Sequence, residues 1–121
     1  MKRYLLFILV GILALSFSRC TKPPISKLQI ANERSEAIDD IEWNGQQFGD
    51  QFILKRCSWG LYPGNANTRE VEPGSAPVLF RSVPTHDLFE TVEIVEVGEG
   101  EHVSFTITDS TPVRGLSLIH I

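Results

Sequence analysis

Chemistry in this chain would have to come from few side chains: Cys57, His86 and His102, scattered carboxylates, and Trp43, Trp59 and Tyr62. A thiol beside an imidazole is the nucleophile and base of acyl transfer. Nothing in the spacing brings Cys57 to either histidine, and no catalytic signature surrounds it, so Cys57 is expected to be a small buried hydrophobe. Asp39 and Asp40, with Asp50 or Asp109, offer hard oxygen ligands that suit Ca²⁺. The D-x-D-x-D-G spacing is absent, and a solvated acidic turn is the plainer expectation. Glu90, Glu93, Glu96, Glu99 and Glu101 make one stretch acidic. A glycosidase pair would need two carboxylates at a set separation across a groove. Charges that keep a sheet edge from pairing with another chain explain them more simply. The aromatic residues remain. Trp59-Gly60-Leu61-Tyr62 precedes a turn, so Trp59 and Tyr62 are the candidate ligand-binding residues, as a platform for a sugar or peptide. The alternative is that the tryptophans are core. No catalytic set, metal site or cofactor motif is expected, and the chain reads as a non-enzyme.

The elements that must hold these residues are short strands. Seven prolines and nine glycines punctuate 121 residues, and no stretch shows a sustained helical period. Ile25 to Asn32 reads as a strand with Leu28 and Ile30 inward, followed by a polar turn over Asn32 to Ser35. In Glu36 to Asn44, Ala37, Ile41 and Trp43 share a face, with Asp39 the odd member. Asn44-Gly45 is a strong hairpin signal, because both turn positions take positive φ. Phe52 to Trp59 reads as one central strand, with Phe52 and Leu54 on one face and Ile53, Cys57 and Trp59 on the other. Tyr62 to Asn65 is a turn, Thr68 to Glu72 a polar strand, and Glu72-Pro73-Gly74-Ser75 has the order of a type II turn. Pro77 to Val83 is a strand with Val78 and Phe80 on one side.

Leu88 to Asp109 is the stretch on which the rest is expected to pack. It reads as two long strands joined through Gly98-Glu99-Gly100 in a three-residue hairpin. In the second strand Val103, Phe105 and Ile107 alternate with polar residues, one buried face and one wet face. In the first, an apparent phase slip between Ile94 and Val95 predicts a β-bulge or a change of sheet. About seven short strands around a Trp/Phe core predict an all-β antiparallel β-sandwich over residues 25–115. The strand spacing, the Asn-Gly hairpin and the Gly-Glu-Gly connection resemble small exported domains of immunoglobulin-like or transthyretin-like type. The Cys–Trp–Cys pattern of true immunoglobulin domains is absent.

The two ends read differently from the middle. Lys2 and Arg3 precede an uncharged apolar run, Tyr4 to Phe17, shorter than the roughly 20 residues of a membrane span and suited to a signal peptide over residues 1–19. Ser16-Phe17-Ser18-Arg19-Cys20 resembles the lipobox of bacterial lipoproteins, although Arg19 stands where that pattern has a small residue. The resemblance implies a diacylglycerol on Cys20, with residues 20–24 as tether and Thr21-Lys22-Pro23-Pro24 extended by its prolines. Ordinary cleavage after Ser16 or Ser18 and an uncleaved short anchor are the alternatives. With Cys20 as the first mature residue, 8 basic residues face 15 acidic ones, a net of −7. That balance disfavours nucleic acid. At the other end, residues 116–121 (LSLIHI) resemble the in-frame translation of a transposase adapter used in sequencing libraries, which would place the natural continuation beyond Gly115.

These readings lead to one expectation: a lipoprotein in the bacterial cell envelope, held to the membrane through Cys20 and facing periplasm or exterior. Its role is expected to be non-enzymatic, as an interaction or structural module for an envelope protein or glycan. A secreted carbohydrate- or ligand-binding domain is the alternative.

Overall fold

A computed structural model describes residues 24–54 and 57–116. Cys20, the rest of residues 1–23 where a signal peptide is expected, residues 55–56 and residues 117–121 lie outside them. The described residues form ten strands: β1 (Ser26–Glu33), β2 (Ile38–Trp43), β3 (Gln46–Phe48), β4 (Gln51–Ile53), β5 (Ser58–Leu61), β6 (Ala66–Val71), β7 (Gly74–Ser82), β8 (Leu88–Val97), β9 (His102–Thr108) and β10 (Val113–Leu116). They make two sheets, three strands in the order β6-β1-β9 and seven in the order β10-β8-β7-β2-β5-β4, with β3 also on β2. The molecule is therefore an all-β sandwich, with ten strands rather than about seven. Strand pairs are antiparallel apart from β1 and β9, which run parallel from Lys27↔His102 to Glu33↔Thr108.

The core lies between the sheets. Leu28 and Ile30 from the small sheet meet Ile38, Ile41, Trp43, Val78, Phe80 and Val97 from the large one, all buried. Trp43 is fully enclosed and its indole N–H is shared between the carbonyls of Ala76 and Val95, at 3.1 and 3.2 Å. A polar tip buried in apolar surroundings needs such partners.

Several connections follow the sequence reading. Asn44 and Gly45 take φ of 50° and 79° and turn β2 into β3. Gly100 takes φ of 74°, and Val78, Phe80, Phe105 and Ile107 all face inward. Other expectations are corrected. Asn32 is not in a turn: β1 continues to Glu33 and Asn32 is fully buried. Gly74 opens β7 and is not among the positive-φ glycines, so residues 72–75 do not form a type II turn. Leu116 pairs with Leu88 in β10, while the rest of the adapter-like segment lies outside the described residues.

The Leu88–Asp109 stretch is not a hairpin. Its two strands belong to opposite sheets, β8 to the large one and β9 to the small one. The Gly98–Gly100 connection arches across the end of the sandwich. It is fastened to β1 by Ser26, whose hydroxyl donates to the Gly98 carbonyl (3.0 Å) and accepts from the Gly100 N–H (2.9 Å). A β-bulge is present in β8, but earlier than Ile94–Val95: between Pro77↔Ile94 and Leu79↔Glu90, β8 has four steps where β7 has two. Two extra residues preserve the alternation. Thr91, Val95 and Val97 therefore stay inward, and Val92 and Ile94 stay outward and exposed. The acidic residues of β8 do not all lie on an edge, because β7 runs along one side and β10 covers Leu88 to Thr91 on the other.

Candidate functional site

Phe52 to Trp59, read from the sequence as one central strand, is a hairpin at the margin of the large sheet. β4 and β5 pair through Gln51↔Gly60, Phe52↔Trp59 and Ile53↔Ser58, with a turn between them in which Cys57 has φ of 51°. That turn reverses the expected facing. Phe52 and Trp59 become cross-strand neighbours on one face, their rings edge to face with centroids 5.7 Å apart and planes at 72°. Such pairs contribute about 0.5–1.5 kcal/mol beyond area burial. Two glycines allow the hairpin to dock. At Gly60 a Cβ would run into the Ile38 carbonyl oxygen and the Asp39 backbone, and at Gly49 it would meet the Trp59 backbone carbon at 2.9 Å.

Trp59 shares its face of β5 with Leu61, which is buried in the core, since alternate residues of a strand point the same way. Trp59 nonetheless keeps 57 % of its surface exposed and Phe52 keeps 42 %. The reason is geometric. Trp59 lies on the β4–β5 margin of the large sheet, on the core-side face but outside the buried cluster.

A second irregularity opens a cleft beside it. Between Asp39↔Arg81 and Glu42↔Leu79, β2 has three steps where β7 has two, and Asp40 takes φ of 48°. One extra residue inverts the alternation. Ile38 therefore points inward before the bulge, Ile41 and Trp43 after it, and Asp39 falls on the opposite face. There Asp39, enclosed by the protein, accepts a hydrogen bond of 2.7 Å from the Ser58 hydroxyl. The bulge also divides the neighbours of β2: β5 pairs with Ile38 and Asp39, β3 with Ile41 to Trp43. The gap between β3 and β5 is a cleft of about 270 Å³. Its apolar lining is Ile41, Phe48 and Trp59; its polar lining is Asp40, Gln47, Ser58 and Arg69, with the Cys57 thiol at the side.

Arg69 comes from the other sheet. It pairs with Leu28 across β6 and β1 and so starts on the core-facing side of an edge strand. Its guanidinium turns outward and donates to the Gly49 carbonyl (3.4 Å) and the Asn67 side chain (3.2 Å). Asp40 is held by Arg81 at 2.9 Å.

The other candidates are dispersed. Cys57 is exposed rather than buried, because it sits in the β4–β5 turn instead of a strand. His86 lies in the β7–β8 loop and His102 opens β9 in the other sheet, so no thiol–imidazole pair forms. Asp109 accepts hydrogen bonds from the Ser35 N–H and hydroxyl, far from the Asp40 ion pair. Among the described residues no three His, Cys, Asp or Glu side chains are gathered as a bound cation requires. Tyr62 is 42 % exposed but follows β5 at the next turn, where its carbonyl accepts the Asn65 N–H; it does not line the cleft. Trp59's partner is thus Phe52. The reversal between β4 and β5 was missed because the sequence between Ile53 and Ser58 holds no glycine or proline to mark it. No family model, curated protein or solved structure matches this chain.

Proposed function

We propose that this chain is a lipoprotein of the bacterial envelope, tethered through Cys20, whose β-sandwich works without catalysis as a binding module for an envelope protein or glycan. One observation carries the binding half of this reading: Trp59 and Phe52, large and apolar, stand exposed together at a sheet margin beside a cleft. Leaving two aromatic rings in water forgoes the hydrophobic gain of burying them, about 25 cal/mol per Å², and clustered apolar exposure marks interaction surfaces. The anchoring half rests on the lipobox-like Ser16 to Cys20 and the basic, apolar segment before it. Secretion without a lipid is the second reading. It shares the same surface and differs only in what holds the domain.

Two experiments test the halves separately. Radiolabelled palmitate is expected to enter the full chain and to be lost in Cys20→Ala; equal labelling of both removes the anchor. With the anchor removed by Cys20→Ala, a lipid-extracted, insoluble envelope fraction is expected to retain the protein and to release it when Trp59→Ala is added, and equal retention of the two removes the aromatic surface.

A further inference from the structure

We infer that the cleft between β3 and β5 binds one ring of a neutral carbohydrate, with Trp59 as the stacking face; this rests on the binding-module reading above. The lining decides the chemistry. An anion needs donors alone, and a cation needs acceptors or an aromatic face. This cleft is lined by residues of both kinds together with apolar ones. Asp40 is a carboxylate acceptor, Gln47 brings a carbonyl and an amide, and Arg69 brings guanidinium N–H groups. A sugar hydroxyl donates and accepts at once, so a polyhydroxylated ring satisfies the whole mixed set. Its C–H face is apolar and flat enough to lie on an indole, as sugar-binding sites require of their aromatic residues.

Size and charge narrow the ligand further. A cleft of about 270 Å³ lies just below the range of roughly 300–1,000 Å³ typical of sites for larger small molecules. It suits one ring whose neighbours remain in solvent over Phe52. The mature domain carries a net of −7, which repels polyanions. The polar groups are also preset, which lowers the ordering cost of binding. Arg69 is tied to Gly49 and Asn67, and Asp40 to Arg81. An extended peptide fits less well, because β4 offers an open edge only three residues long.

The molecule supplies its own reporters. Trp43 is enclosed and Trp59 is open, so iodide quenching of tryptophan fluorescence reads Trp59. Cys57 lines the cleft and is exposed, so its alkylation by N-ethylmaleimide, followed in Cys20→Ala where it is the one thiol, reads occupancy. The purified full chain is titrated with maltotriose, cellotriose, chitotriose and mannotriose, and with trigalacturonate as the acidic control. At least one neutral trisaccharide is expected to saturate with a dissociation constant on the order of 1 mM and to slow both iodide quenching and Cys57 alkylation. Trp59→Ala and Asp40→Asn are each expected to weaken it about tenfold or more. Asn tolerates the positive φ at position 40, so that variant keeps the bulge, and unchanged far-ultraviolet circular dichroism checks it. Tyr62→Ala is expected to bind as wild type.

No saturation by any neutral trisaccharide overturns the inference, as does binding of trigalacturonate alone, or binding that survives Trp59→Ala. The binding-module reading fails differently. If Trp59→Ala loses the envelope fraction, that retention is destroyed by protease, and no sugar titrates, the module stands with a protein partner and the carbohydrate inference falls. If Trp59→Ala loses nothing, both fall.

Discussion

Trp43 and Trp59 place the same side chain in opposite surroundings, and their energetics should separate accordingly. Trp43 is fully enclosed with its N–H on two carbonyls. Truncation there leaves a large cavity and strips a partner from the β7–β8 pair. Trp43→Ala is expected to cost about 3–5 kcal/mol in urea denaturation. Trp59 loses only its contact with Phe52 and partial burial, so Trp59→Ala is expected to cost no more than about 1.5 kcal/mol. Equal losses in the two variants would mean that Trp59 is a core residue, and the cleft would lose its wall. Arg34 shows a different use of an aromatic face. Its guanidinium lies 5.3 Å from the Phe80 ring centroid and 5.7 Å from that of Phe89, closing the far end of the core with a cation rather than an alkyl group.

At the scale of the strand, the two bulges behave differently because one adds a single residue and the other two. The Asp40 bulge inverts the facing of β2, moves Asp39 away from the core and opens the cleft. The β8 bulge keeps the facing and instead replaces a ladder bond with a side chain. The Thr91 hydroxyl accepts from the buried Val78 N–H at 2.9 Å and donates to the Glu93 carbonyl at 2.8 Å. Thr91→Val keeps the shape and leaves that N–H unpaired, so a loss of about 1–3 kcal/mol is expected in chemical denaturation. Thr91→Ser should retain most of the stability. If Val is tolerated as well as Ser, the hydroxyl is not what holds the bulge.

At the scale of the whole molecule, β1 is the middle strand of the small sheet, antiparallel to β6 and parallel to β9. A parallel pair requires a long crossover, and here nearly the entire domain is that crossover. Asn32, fully buried near the end of β1, then ties the sheets together. Its amide donates to the Leu61 carbonyl of β5 at 3.0 Å and to the Glu36 carbonyl at 2.9 Å, and its carbonyl accepts the Arg34 N–H at 2.9 Å. Asn32→Leu matches the volume and removes all three bonds. It is expected to cost at least about 2 kcal/mol, read as a lower urea midpoint with the cooperativity unchanged. A variant as stable as wild type would show that apolar packing alone joins the sheets.

The sequence by itself determined whatever depends on neighbours along the chain. Period-two alternation named the inward residues of β1, β7 and β9. Asn44-Gly45 and Gly100 announced left-handed backbone, and proline and glycine spacing gave the sandwich class. The tertiary structure alone decided which strands share a sheet. β8 and β9 look like a hairpin because a short glycine-rich link joins two alternating segments, yet a hairpin and an arch across two sheets have the same local pattern. Only the competition of β1 for the edge of β9 separates them. The cleft was illegible for the same reason. Trp59 was visible as a candidate, but Asp40, Gln47, Ser58 and Arg69 lie in separate segments of the chain. They meet because a one-residue bulge parts β3 from β5 and an arginine on an edge strand of the opposite sheet lines the gap. Such an arrangement exists only once both sheets are packed.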